Sequence, residues 1–178
     1  MKQSNSLSLP YWLIVAATVS RFLPHPPNFT AVGGTALYSG AHLKGIYRYF
    51  VPATAMLVSD AILGWHRTMP FVYAAFAFNV WLGSRIASKP KAIRVGSAAL
   101  AGSVTFYLVT NFGVWWSGMW YPHTAAGLAT CYVRALPFAK WTILGDLTFT
   151  AVLFGATAAI NYYYKNKNTI PKEVKYVR

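Results

Sequence analysis

Ile93-Arg94-Val95-Gly96-Ser97-Ala98-Ala99-Leu100-Ala101-Gly102-Ser103-Val104-Thr105-Phe106-Tyr107-Leu108-Val109-Thr110-Asn111-Phe112-Gly113-Val114-Trp115-Trp116 is the stretch that decides the fold. Its one charge, Arg94, lies at the start, and the rest is apolar or small up to a pair of tryptophans. A hydrocarbon core of about 30 Å takes about 20 apolar residues in a helix, so this run predicts a membrane-spanning helix. Applied loosely to shorter runs, the same rule gives five more spans, over 7–22, 29–42, 49–65, 69–87 and 141–163. Prolines fall where spans start or break. Pro10, Pro52 and Pro70 suit first turns, Pro24, Pro26 and Pro27 follow the first span, and Lys89-Pro90-Lys91 marks a tight connection. The segment between Pro122 and Pro137 is too short and mixed to span, and reads as a short helix at the outer surface, either a lid or a packing element.

The expected fold is all-α, a polytopic membrane protein with six transmembrane helices in one domain over 1–164 and a basic cytoplasmic tail over 165–178. The polar start, Met1 to Ser8, and the run after it show no small-residue cleavage site, so the first helix is expected to be retained.

Composition agrees with lipid as the main solvent. Of 178 residues, 56% are hydrophobic and only 11% charged, about half the charge of an average soluble domain. The single Cys131 excludes a disulfide scaffold, and the apolar content excludes disorder. A net charge of +13 raises the question of nucleic acid, but the charge lies in short loops between spans. With six spans, one side holds twelve basic residues: Lys2, Lys44, Arg48, Arg85, Lys89, Lys91, Arg94, Lys165, Lys167, Lys172, Lys175 and Arg178. The other holds four, Arg21, Arg67, Arg134 and Lys140. Basic residues stay on the cytoplasmic side, so both termini are expected there, with anionic headgroups, not nucleic acid, as the partner of the charge.

Polar chemistry gathers on the other, outer side. Asp60 and Asp146, two of only three acids, lie inside apolar spans, where an ionised group is expensive unless it is paired, hydrated or turned toward a cavity. Asp60 is toward the C-terminal end of its helix, where the dipole opposes a carboxylate, so it needs a cation; Arg21 is the first candidate, then His66 and Arg67. Asp146 is expected near the start of helix six, where the dipole favours it. Loop one, Arg21-Phe22-Leu23-Pro24-His25-Pro26-Pro27-Asn28-Phe29, reads as a rigid polyproline-like turn with Asn28 as N-cap of helix two. Asn111 brings an amide into the outer end of helix five, followed by Trp115, Trp120 and Tyr121, which suit an interface or an aromatic wall. Cys131 reads as a buried packing residue or, less simply, as a ligand. Gly33, Ala36 and Gly40 give helix two a small-residue face for intramolecular packing or partner docking.

Enzyme signatures are absent: there is no Gly-rich phosphate loop, no helical pair of histidines, and no nucleophile with a base beside it, so no catalytic residue, metal site or cofactor is expected. Arg21 to Thr30, Ser59-Asp60 with Gly64-Trp65-His66, Thr110 to Trp115, and Thr130-Cys131-Tyr132 with Pro137-Phe138 and Leu144-Gly145-Asp146 together resemble a family of uncharacterised bacterial membrane proteins assigned to transport. That family is in turn distantly similar to the substrate-capture (S) components of energy-coupling-factor (ECF) vitamin transporters. The resemblance implies six helices in the bacterial inner membrane, cytoplasmic termini, and an outward-open cavity closed by loops one, three and five. Such S components dock an energising partner through Ala-x-x-x-Ala on helix one, where this chain has Ala16 and Ser20. Some solitary relatives handle cobalamin through a cysteine, which makes Cys131 worth testing.

Two functions follow as expectations. One is a small-molecule uptake component whose substrate site draws on Arg21, Asn28, Asp60, His66, Asn111, Trp115, Tyr121, Cys131 and Asp146. The other is a non-transporting structural subunit of a membrane complex, in which Arg21 and Asp60 form only a clamp. A proton-coupled carrier fits less well, because two carboxylates on one side make no relay across the bilayer.

Overall fold

The computed structural model describes residues 8–86 and 90–169. Lys2, Lys89 and the tail from 170 onward, all counted in the charge bias, lie outside the described residues. Those described form six helices and no strand: α1 (Ser8–Ser20), α2 (Val32–His42), α3 (Tyr47–Leu63), α4 (Met69–Ser84), α5 (Ala92–Trp116) and α6 (Ala125–Thr169).

Local chemistry sets most boundaries. Gly64 adopts φ +104, a conformation that L side chains rarely take, and stops α3 two residues before the expected end. Pro70 occupies the first turn of α4. α2 begins at Val32 instead of 29, because Asn28 turns the chain at φ +67 and the Thr30 N–H donates back to the Asn28 carbonyl at 3.0 Å. Asn28 is therefore not the N-cap. Ala31 holds that position without a side-chain cap, and its own N–H donates to Ser20 Oγ at 3.0 Å, tying the start of α2 to the end of α1.

α2 is the axis of the bundle. Every residue from Ala31 to Gly40 is buried, between α3, α4 and α6. Its small-residue face is spent inside the molecule: a Cβ on Gly40 would run into the Val80 carbonyl, and one on Gly83 into the Leu37 carbonyl, so α2 and α4 meet backbone to backbone. The core beside it is built from Ala17, Val32, Ala55 and Met56 toward the loop-one end, and from Leu37, Val95 and Ala99 toward the other. Outward faces are apolar, as at Leu57, Ile62, Leu100, Val104, Val152 and Ile160.

The segment expected as a separate surface helix is the first arm of α6. Thr124 Oγ1 accepts from the Gly127 N–H at 3.1 Å and starts the helix, which then continues through Pro137. Proline removes one backbone donor but its fixed φ is helical, so the helix bends without ending. Contacts with α5 require that bend. Ser103 Oγ donates to Asp146 at 2.7 Å, whereas Tyr107 reaches the Tyr132 carbonyl at 2.6 Å and Cys131 Sγ the Asn111 carbonyl at 3.4 Å. Along a straight helix, Asp146 and Tyr132 are about 21 Å apart, against about 6 Å for Ser103 and Tyr107. A straight α6 antiparallel to α5 cannot meet both, and Pro137 lies in the interval.

Candidate functional site

The continuity of α6 changes the standing of Asp146. The residue lies in mid-helix, more than five turns from Ala125, and the helix dipole acts only within about the first turn. The expected dipole stabilisation is therefore lost, and Asp146 depends on its neighbours. Its side chain is 7% exposed and accepts one hydrogen bond among the described residues, from Ser103. Gly33 makes room for it: a Cβ there would occupy the position of Oδ1.

Asp60, 1% exposed, is satisfied differently. Arg21 Nη1 donates to Oδ1 at 2.6 Å and the Tyr73 hydroxyl to Oδ2 at 3.0 Å. The same guanidinium nitrogen also contacts Ser59 Oγ, and Met56 Sδ at 3.3 Å. Arg21 is thus the cation that the unfavourable dipole demanded, and the pair pins the end of α1 to α3.

Between these two acids lies a cavity of about 290 Å³. Loop one supplies Arg21, His25, Asn28 and Thr30; α2 supplies Val32 and Gly33. His66, Phe76, Phe106, Thr142 and Asp146 complete much of the wall. Loop one is set deep: the Phe29 α-carbon would lie 3.1 Å from a Cβ on Gly145, the residue next to Asp146. His25 is oriented by donating from Nδ1 to the Pro26 carbonyl at 2.7 Å, and His66 Nδ1 lies 2.8 Å from Thr68 Oγ1.

Four of the nine residues expected at a substrate site therefore line one cavity: Arg21, Asn28, His66 and Asp146. Asp60 stands behind Arg21 and acts through it. The other four lie outside that wall. Asn111 donates its amide to the Tyr107 carbonyl in its own helix at 2.7 Å. Trp115 donates from Nε1 to the Pro122 carbonyl at 3.0 Å, and its ring packs on His123, which fixes the turn between α5 and α6. Tyr121 is half-buried in that turn. Cys131, 2% exposed, packs against α5. Sequence reasoning missed Ser103, Thr142, Phe76, Phe106 and Tyr73. Hydroxyls and phenylalanines inside apolar helices carry no local signal; their role comes from what faces them. Among the described residues, no three of His, Cys, Asp and Glu group closely enough to hold a metal ion.

An all-helical bundle with two helices, Ala92–Trp116 and Ala125–Tyr163, long and apolar enough to cross a membrane, and with a small cavity of mixed polar and apolar lining at one end, is the class that fold and site define. The chain belongs to the family of unknown function DUF6580, whose sequence profile matches residues 1–169. Comparison with curated proteins and with solved structures gives no match.

Proposed function

We propose that the protein is a six-span component of the bacterial inner membrane that takes up a small molecule through the cavity under loop one, with both termini in the cytoplasm. The observation that carries this reading is the cavity itself: Arg21 and Asn28 of loop one, His66 of the α3–α4 turn and Asp146 of α6 line one space of about 290 Å³, near the lower end of the range for ligand pockets.

Helix lengths support a cavity reached by water or a ligand. α2 has 11 residues, about 16 Å, against a hydrocarbon core of about 30 Å. Its path across a bilayer is completed by the irregular backbone of loop one. Non-helical backbone at membrane depth is tolerated where it is buried in protein or lines a water-filled cavity, and loop-one residues line the cavity here. Exposed Trp65, Trp116 and Trp120 at this end, and Tyr47, Trp81 and Tyr162 at the other, fit aromatic belts at two interfaces.

The structural-subunit reading loses one of its main supports, since the small-residue face of α2 that a partner would have used is buried by α4 and α6. Native purification in lipid nanodiscs followed by mass spectrometry separates the two. A copurified small molecule that leaves on mutation of the cavity wall supports uptake; stoichiometric protein partners with no small molecule refute it.

A further inference from the structure

Resting on that reading of the cavity, we propose that its ligand is a small organic cation, an alkyl- or arylammonium, held through the Asp146 carboxylate. The charges in the wall point this way. Among the described residues Arg21 is the one Lys or Arg side chain in it, and its charge is already paired: Nη1 is shared among Asp60, Ser59 and Met56. An anionic ligand would have to compete with Asp60 for it. Asp146, in contrast, has one hydroxyl donor, no ion-pair partner among the described residues, and a place in the wall. Arg21 and Asp60 offset one another, which leaves Asp146 as the acidic group of the wall without a cation beside it among the described residues.

The remaining wall suits a nitrogen cation in particular. Phe76 and Phe106, a tilted ring pair with centroids 5.1 Å apart, both line the cavity and give an organic cation's substituent aromatic surface to pack on. Asn28, Thr30 and Thr142 line the same wall, and their side chains carry an amide or hydroxyl oxygen able to accept from N–H groups. A bare metal ion fits poorly, because no three-residue ligand cluster is present among the described residues. Gly33 is part of the device: only a residue without a side chain leaves the carboxylate at the cavity edge.

The test uses the full chain in nanodiscs and three probes of similar shape, phenethylammonium, 2-phenylethanol and 3-phenylpropionate, followed by calorimetry. Phenethylammonium is expected to bind at least about tenfold more tightly than the alcohol or the carboxylate, and Asp146→Asn to remove that preference. The charge series on the unmutated protein stands even where Asp146→Asn fails to fold. Equal or tighter binding of the alcohol or the carboxylate overturns the cation assignment and leaves the cavity reading in place. So does a folded Asp146→Asn protein that keeps the preference. Failure of all three probes overturns the assignment and the cavity reading together.

Discussion

Replacing Arg21 by methionine keeps most of the side-chain length and removes the charge that faces Asp60. The carboxylate is 1% exposed and would retain one donor, Tyr73, at 3.0 Å. Breaking a buried pair from one side costs about 3–5 kcal/mol, and the Arg21 side chain is 17% exposed toward the cavity, so the lower end, about 3 kcal/mol, applies. Asp60→Asn is milder, about 1–2 kcal/mol, because the guanidinium keeps Ser59 and Met56 as partners and can turn toward the cavity. The double variant leaves no uncompensated charge. It should therefore cost less than the sum of the singles, with a coupling of about 2 kcal/mol. Reversible unfolding by sodium dodecyl sulfate in mixed micelles measures all four corners of the cycle. A coupling below about 0.5 kcal/mol would refute the clamp, and with it the assignment of Asp60 as the residue that positions Arg21 in the cavity wall.

Gly33→Ala forces a methyl group onto the Asp146 carboxylate and should destabilise by about 1–3 kcal/mol in the same assay, whereas Gly155→Ala, with nothing within 4 Å of the added Cβ, should be neutral or stabilising by up to about 1 kcal/mol. Cys131 is buried against α5 and should resist a thiol reagent until the protein unfolds; Cys131→Ala should leave probe binding unchanged within about twofold, and a larger loss would return the cysteine to the site. In that cysteine-free background, an impermeant maleimide added to intact cells should label a cysteine placed at Gly118 and spare one placed at Lys44; the reverse pattern refutes the orientation drawn from the basic residues.

Much was legible in the chain before any coordinates. The helical class follows from apolar runs, because the free energy of burying a helix in an apolar medium is a sum over neighbouring residues and needs no knowledge of the partner. Arg21 as partner of Asp60 was legible too: a carboxylate at the wrong end of a helix dipole demands a cation, and the chain offers few at that end. What the sequence could not give was the continuation of α6 through Pro137. A proline reads as a break, yet here its φ suits a helix, and Tyr107, Asn111 and α5 hold the arm beyond it in place. That continuation moved Asp146 from a helix start, where the dipole would favour it, to a helix middle, where it depends on its neighbours.

The chain alone thus determined a helical, lipid-compatible bundle with its costly polar groups gathered toward one end, since apolar length and charge count are properties of consecutive residues. Tertiary packing decided which of those groups share a cavity. It placed Asp60 behind Arg21, turned Asn111, Trp115 and Cys131 to structural contacts, and set Asp146 against Ser103 and Gly33. The physical reason is distance along the chain: the residues of the cavity wall run from Arg21 to Asp146, and only the mutual packing of five helices and loop one brings them to a common surface.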